Sequence, residues 1–193
     1  YLAVAGNTAV LTLEGLLDYC SGAFYHTSIT AVSQNLGAKK YKRILKCIYC
    51  ALICSIVGCL FFGFTFLLSG KYAIGLFNSN SEVIQWGLIR MKILFTTFFI
   101  CGIMDVAAGS LRGLGYSTVP MIVSIIGVCG FRVFWILVVF YNYTNFQDPN
   151  DLNMLYISYP ISWIITFIVH FICYIFVSKK KIKEINNEIA LQL

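Results

Sequence analysis

Charge is what this sequence lacks most. Only 11% of its 193 residues are Asp, Glu, Lys or Arg, while 59% are hydrophobic and the mean hydropathy is +0.81. A soluble domain carries about 25% charged residues and needs that polar surface to cover one core. A soluble globule is therefore excluded, and lipid has to be the solvent. Proline is also scarce, at three residues. With no Gly-X-Y period and no long Glu/Lys heptads, collagen-like, disordered and coiled-coil chains fall away. There are two histidines, His26 and His170, far apart. No His-Glu-x-x-His, Gly-x-Ser-x-Gly or Walker loop is present, which argues against a membrane-embedded enzyme or an ATP-driven pump. No basic n-region with a cleavage site marks a targeting peptide. A chain that opens on Tyr1 is expected to be a fragment of a longer protein.

Eight cysteines are present, most of them inside or at the edge of apolar runs. They read as small apolar side chains rather than a disulfide framework. Cys47-x-x-Cys50 has no second Cys pair or nearby His to complete a zinc site.

A membrane helix needs ~20 largely apolar residues. Charge-free runs from Tyr19 to Ala38, Cys47 to Gly70, Gly113 to Phe131 and Leu152 to Ser178 meet or approach that length. Extended to their turn signals, they predict an all-α polytopic membrane protein with helices at about 3–36, 43–69, 82–112, 118–143 and 154–178, and a tail at 179–193. Gly37, Ser69-Gly70, and Gly113 with Gly115 supply the stops; Ser117 or Thr118 with Pro120 supplies a capped start.

Positive charge gathers at one end of these helices. Lys39, Lys40, Lys42, Arg43, Lys46, Arg112, Lys179, Lys180, Lys181 and Lys183 share it, whereas the other loops, about 70–81 and 144–153, hold Lys71 against Asp148 and Asp151. Basic loops stay in the cytoplasm, so residue 1 is expected outside and the C-terminus inside the cell membrane. The formal charge of +6 is thereby explained without nucleic acid, and the basic tail can meet anionic lipid heads.

Two stretches carry a family resemblance. Residues 3–44, a long helix running through Gln34-Asn35-Leu36-Gly37-Ala38 into a basic loop, are one. The other is Gly109-Ser110-Leu111-Arg112-Gly113-Leu114-Gly115, then Pro120-Met121-Ile122 and Phe131-Arg132. Together they resemble the multidrug and toxic compound extrusion (MATE) transporters. The resemblance implies that the five helices form most of one MATE-type six-helix lobe, matching helices eight to twelve, and that an N-terminal lobe is the missing partner. It further implies secondary efflux of cationic or amphipathic drugs by Na+ or H+ antiport, with no cofactor beyond the coupling ion. Asp105 lies on the helix matching the tenth, where some members use an aspartate, about one turn closer to the Arg-Gly motif. Related flippases of lipid-linked saccharides are the alternative within transport, since Arg90, Lys92 and Arg132 suit phosphates; a structural module is the remaining one.

Each charged residue near the midplane costs ~2.5–3.5 kcal/mol on insertion scales, so those present are candidate functional groups. Glu14 and Asp18 are spaced i, i+4 on one face with Asn7, Gly22 and Tyr25. Two such carboxylates favour sharing a proton, a Na+ or an organic cation. Otherwise one of them neutralises an Arg on a neighbouring helix. Asp105, Glu14 and Asp18 are thus the candidate cation site, with Na+ at Glu14 and Asp105, and Arg132 beside them. Arg112 can snorkel to Asp105 and close the cytoplasmic mouth at the Gly113–Gly115 turn. Arg90 and Lys92 are expected to face water in an outer vestibule or to mark an anionic substrate. His170 and His26 are expected to be packed residues rather than proton relays. Tyr25, Trp86, Trp135, Tyr156, Tyr159 and Trp163 are candidates for stacking on cations. Glycines 6, 15, 22, 58, 63, 102, 109, 127 and 130 are expected where helices approach closely.

Overall fold

The computed structural model describes residues 2–143 and 151–190. Tyr1, Asp148 in the expected outer loop, and the end of the tail lie outside the described residues. Among the described residues there is no strand. Helix α1 is Leu2–Gly37, α2 Tyr41–Leu68, α3 the short Gly70–Gly75 and α4 Ser81–Gly113. The next rod begins as α5, Thr118–Ser124, and passes through a π-helical stretch at Ile125–Gly130 into α6, Phe131–Phe134. A second π stretch at Trp135–Phe140 leads to α7, Tyr141–Tyr143; α8 is Asp151–Ala190. Among the described residues, Tyr41–Leu68, Ser81–Gly113, Thr118–Phe140 and Leu152–Lys181 are long and apolar enough to cross a membrane. Helix α1 is long enough at 36 residues but is not apolar enough to qualify on its own.

Helix α4 is the centre. Gly6 of α1 abuts Val83 and Gly87, Ser21 meets Asp105, and Val32 abuts Gly113, so α1 and α4 run side by side in the same direction. A Cβ on Gly6 would stand 2.6 Å from the Val83 carbonyl oxygen, and one on Gly109 2.6 Å from that of Tyr25. Only glycine allows backbones this close. Helix α2 returns antiparallel, Gly63 against Phe95 and Cys59 against Gly102. Helix α8 runs along α4 with it: Tyr156 and Tyr159 lie near Arg90, and Phe98 meets Trp163 edge-on at 5.7 Å between ring centroids. Leu13, Leu17, Met91, Leu94, Phe95 and Phe98 are buried in the common core. Three expected close approaches are absent, since nothing lies within 4 Å of a Cβ on Gly15 or Gly22, and one on Gly130 would meet only the Ile125 carbonyl of its own rod, at 3.8 Å.

The ends of helices follow from local backbone chemistry. After α4, the Tyr116 N–H donates to Leu111 O and the Gly115 N–H to Arg112 O, with Gly115 at φ +94°. This is a Schellman termination with glycine in the left-handed position. Helix α1 ends with the same pattern, Lys40 N–H to Asn35 O and Lys39 N–H to Leu36 O, but the left-handed residue is Lys39 at φ 55°. Gly37, the expected stop, is still helical. Asn80 caps α4 by accepting from the Glu82 N–H. Ser117 precedes α5 without a side-chain cap. Helix α8 does not stop at 178, because Lys, Glu, Ile and Ala follow with no Gly or Pro to break it.

Candidate functional site

The polar stripe of α1 is read by its neighbours one group at a time. Asn7 accepts from the Tyr156 hydroxyl of α8 at 2.5 Å. Two turns further along the same face, Arg90 Nη2 of α4 reaches Glu14 Oε2 at 2.6 Å. Their side chains are 7% and 12% exposed, so the pair is held away from bulk water. Tyr156 and Tyr159 place their rings 5.9 and 5.7 Å from the Arg90 guanidinium carbon. Arg90 therefore does not face a vestibule as expected. The acid on the neighbouring helix neutralises it, the alternative that the α1 sequence left open. Lys92, two residues on, is exposed beside Thr96 and Asn153 in the α4–α8 groove.

Asp105 has different surroundings. It is half-buried on α4, and Oδ2 accepts from the Ser21 hydroxyl of α1. Among the described residues no Lys or Arg lies within ion-pair distance of Asp105 or Asp18. Asp105 feels the field of Asp18, and Asp18 that of Glu14 and Arg132. Asp18 is exposed although it sits mid-helix. Ser21 is seven residues beyond Glu14, so Glu14 and Asp105 stand ~10 Å apart along the helix pair. The structure does not bring them together around one Na+, and among the described residues no cluster of three His, Cys, Asp or Glu side chains could hold a metal ion.

Arg132 lies between the two π stretches. Its guanidinium carbon is 3.9 Å from the Tyr159 ring centroid and 5.8 Å from that of Trp163, and its Nε donates to Ser162 Oγ at 3.2 Å. An arginine stacked in this way is held by the ring faces as well as by hydrogen bonding. Arg112 is exposed and sits 5.5 Å from the Tyr25 ring centroid. It does not pair with Asp105, which looks inward to α1 while Arg112 leaves from the end of α4.

One polar row was missed in the sequence. Ser158, Ser162, Thr166 and His170 recur every four residues on α8 and are all buried. They face the rod of α5 to α7: Ser162 meets Arg132, Thr166 packs on Gly127, and Ser124 Oγ lies 3.3 Å from His170 Nε2. His170 is packed, as expected, and His26 is exposed. The four-residue spacing within an apolar run was the available signal. Among the expected aromatic residues Tyr159 meets a cation most closely, at 3.9 Å from Arg132, and Tyr25 follows at 5.5 Å from Arg112.

An all-helical membrane chain with the Arg-Gly-Leu-Gly turn behind a half-buried aspartate narrows the identity, and the MatE family model matches residues 2–138. The chain belongs to the MatE family. No curated protein and no solved structure matches it. Members of this multidrug and toxic compound extrusion superfamily are transporters rather than enzymes, and the chain is accordingly a membrane transporter of that superfamily. The match runs from the first residues of α1 into the second π stretch. All the candidate charged groups lie within it, and the aromatic face of α8 lies beyond it.

Proposed function

We propose that this MatE chain contributes one lobe of an exporter that moves cationic, amphipathic solutes out across the cell membrane against inward H+ or Na+. Residue 1 is on the outer side and Lys179 on the cytoplasmic side in this reading, with five crossings counting α1. The observation that carries it is Asp105: a mid-membrane carboxylate hydrogen-bonded to a neutral hydroxyl and without an ion-pair partner among the described residues. Such an acid is balanced only when a proton or a cation arrives, which is what an antiport cycle needs. Asp18, exposed one turn from Ser21, is the second acid of the site. Arg132 holds the aromatic wall opposite. Glu14 is committed to Arg90 and serves to hold α1 on α4.

Exposure of Asp18, Arg112 and Lys92 at membrane helices supports a water-filled cavity or a second lobe over these faces, because lipid would make them costly. The flippase alternative drew on three cationic residues, and with Arg90 neutralised it keeps two. The test uses everted membrane vesicles holding the transporter and a cationic dye. An imposed H+ or Na+ gradient should drive dye movement, and Asp105→Asn should abolish the driven component at equal abundance. Undiminished coupled transport in that variant rejects the reading.

A further inference from the structure

At the basic end of the bundle, α2 and α8 both lie on α4 and leave a cleft between them. One pocket of about 90 Å³ is bounded by Tyr41, Leu45, Leu114, Tyr174, Ser178 and Lys181. A second, of about 110 Å³, is bounded by Leu45, Tyr49, Ala107, Ser110, Phe171 and Tyr174, and reaches Phe167. Leu45 and Tyr174 belong to both, so the two adjoin along one line. We propose that this cleft binds an anionic glycerophospholipid, its phosphate at the Lys181 end and one acyl chain along α4.

Length, chemistry and charge agree. Phe167, Phe171, Tyr174, Ser178 and Lys181 fall on one face of α8, and fourteen residues at the α-helical rise span ~21 Å. One leaflet's hydrocarbon is ~15 Å deep, half of a ~30 Å core. The remainder places Lys181 and Ser178 at headgroup level. Ala107 and Ser110 are small and form a floor into which no large side chain projects, while the Ser110 hydroxyl is satisfied by Val106 O. The walls are apolar and aromatic, with Leu45 51%, Tyr49 64% and Phe171 52% exposed, which lipid covers and water does not. Only the mouth is polar. Lys39, Lys40, Lys42, Arg43 and Lys46 precede or open α2, and Lys179 and Lys180 accompany Lys181. An anionic headgroup meets the positive field of these lysines and Arg43 with a net charge of its own, which a zwitterionic one does not carry.

The experiment is native mass spectrometry of the full chain in detergent with equal phosphatidylglycerol and phosphatidylcholine of the same acyl chains. Wild type should retain phosphatidylglycerol at least tenfold over phosphatidylcholine. Lys181→Glu should bring the ratio near one, and Ala107→Phe should lower retention of both lipids about tenfold. Equal retention of the two lipids by wild type overturns the proposal, as does a preference that survives both variants. Lipid-free dimers in place of lipid adducts also overturn it, since a second copy then fills the cleft. If Ala107→Phe melts early in detergent, Lys181→Glu alone decides, being at the mouth and outside the packed core.

Discussion

Arg90 and Glu14 close a 2.6 Å ion pair between two parallel helices, with neither side chain more than 12% exposed. Breaking a buried pair by removing one partner costs ~3–5 kcal/mol, because the survivor is left uncompensated. Glu14→Gln and Arg90→Gln should each reduce membrane abundance and lower the melting point in detergent. The double variant should recover most of the loss, and a thermodynamic cycle on thermal melts measures that coupling. Two additive losses would show that the pair does not hold α1 on α4.

Asp105 should separate from Glu14 in the same assays. Asp105→Asn keeps a group able to meet Ser21 while removing the charge, so abundance should stay within twofold and ion-coupled dye efflux should fall at least tenfold. Ser21→Ala is the control for the hydrogen bond, worth ~1 kcal/mol, and it should alter efflux less than Asp105→Asn. A fall in abundance matching the fall in efflux would place Asp105 among the structural groups.

Gly109 of α4 and Gly22 of α1 should behave oppositely to each other. Gly109→Ala forces a Cβ against the Tyr25 carbonyl and the Ser28 side chain, and overpacking of this kind costs ~1–3 kcal/mol. Gly22→Ala meets nothing within 4 Å and removes a residue that disfavours helix by ~1 kcal/mol. Thermal melts in detergent should therefore fall for the first and hold or rise for the second.

The two Schellman turns give a matched pair. Gly115→Ala puts a side chain at φ +94°, and Lys39→Gly removes one from φ 55°. Left-handed backbone costs an L-residue ~1–2 kcal/mol, so the melting point should drop in the first variant and rise in the second. Equal shifts in one direction would contradict the assigned turns.

Much of this architecture was readable because its signals are local. Hydropathy, the positive charge at one end and the Gly113–Gly115 turn placed the rods and their ends within a few residues, except for the C-terminal end of α8, which runs on to Ala190. What failed was long-range or cooperative. Arg90 and Glu14 are 76 residues apart, and Ser21 and Asp105 are 84 apart, so neither partner is visible from its own surroundings. The π stretches around Arg132 have no residue-level marker like proline. Lys39 took the left-handed position because the hydrogen bonds to Asn35 and Leu36 fall there, two residues past the expected glycine.

Orientation has its own test. In a cysteine-free background, Asn78→Cys should react with a membrane-impermeant maleimide on whole cells, and Lys40→Cys only after permeabilisation. The reverse pattern would turn the chain over in the membrane and move the basic loop outside.

Helix α8 continues unbroken to Ala190, nine residues and ~14 Å past Lys181. A fluorophore attached beyond Lys181 would therefore ride on a rigid mast. Its anisotropy and distance to a fixed point on α2 would report the tilt of α8 itself, where a flexible tether would report only its own wandering.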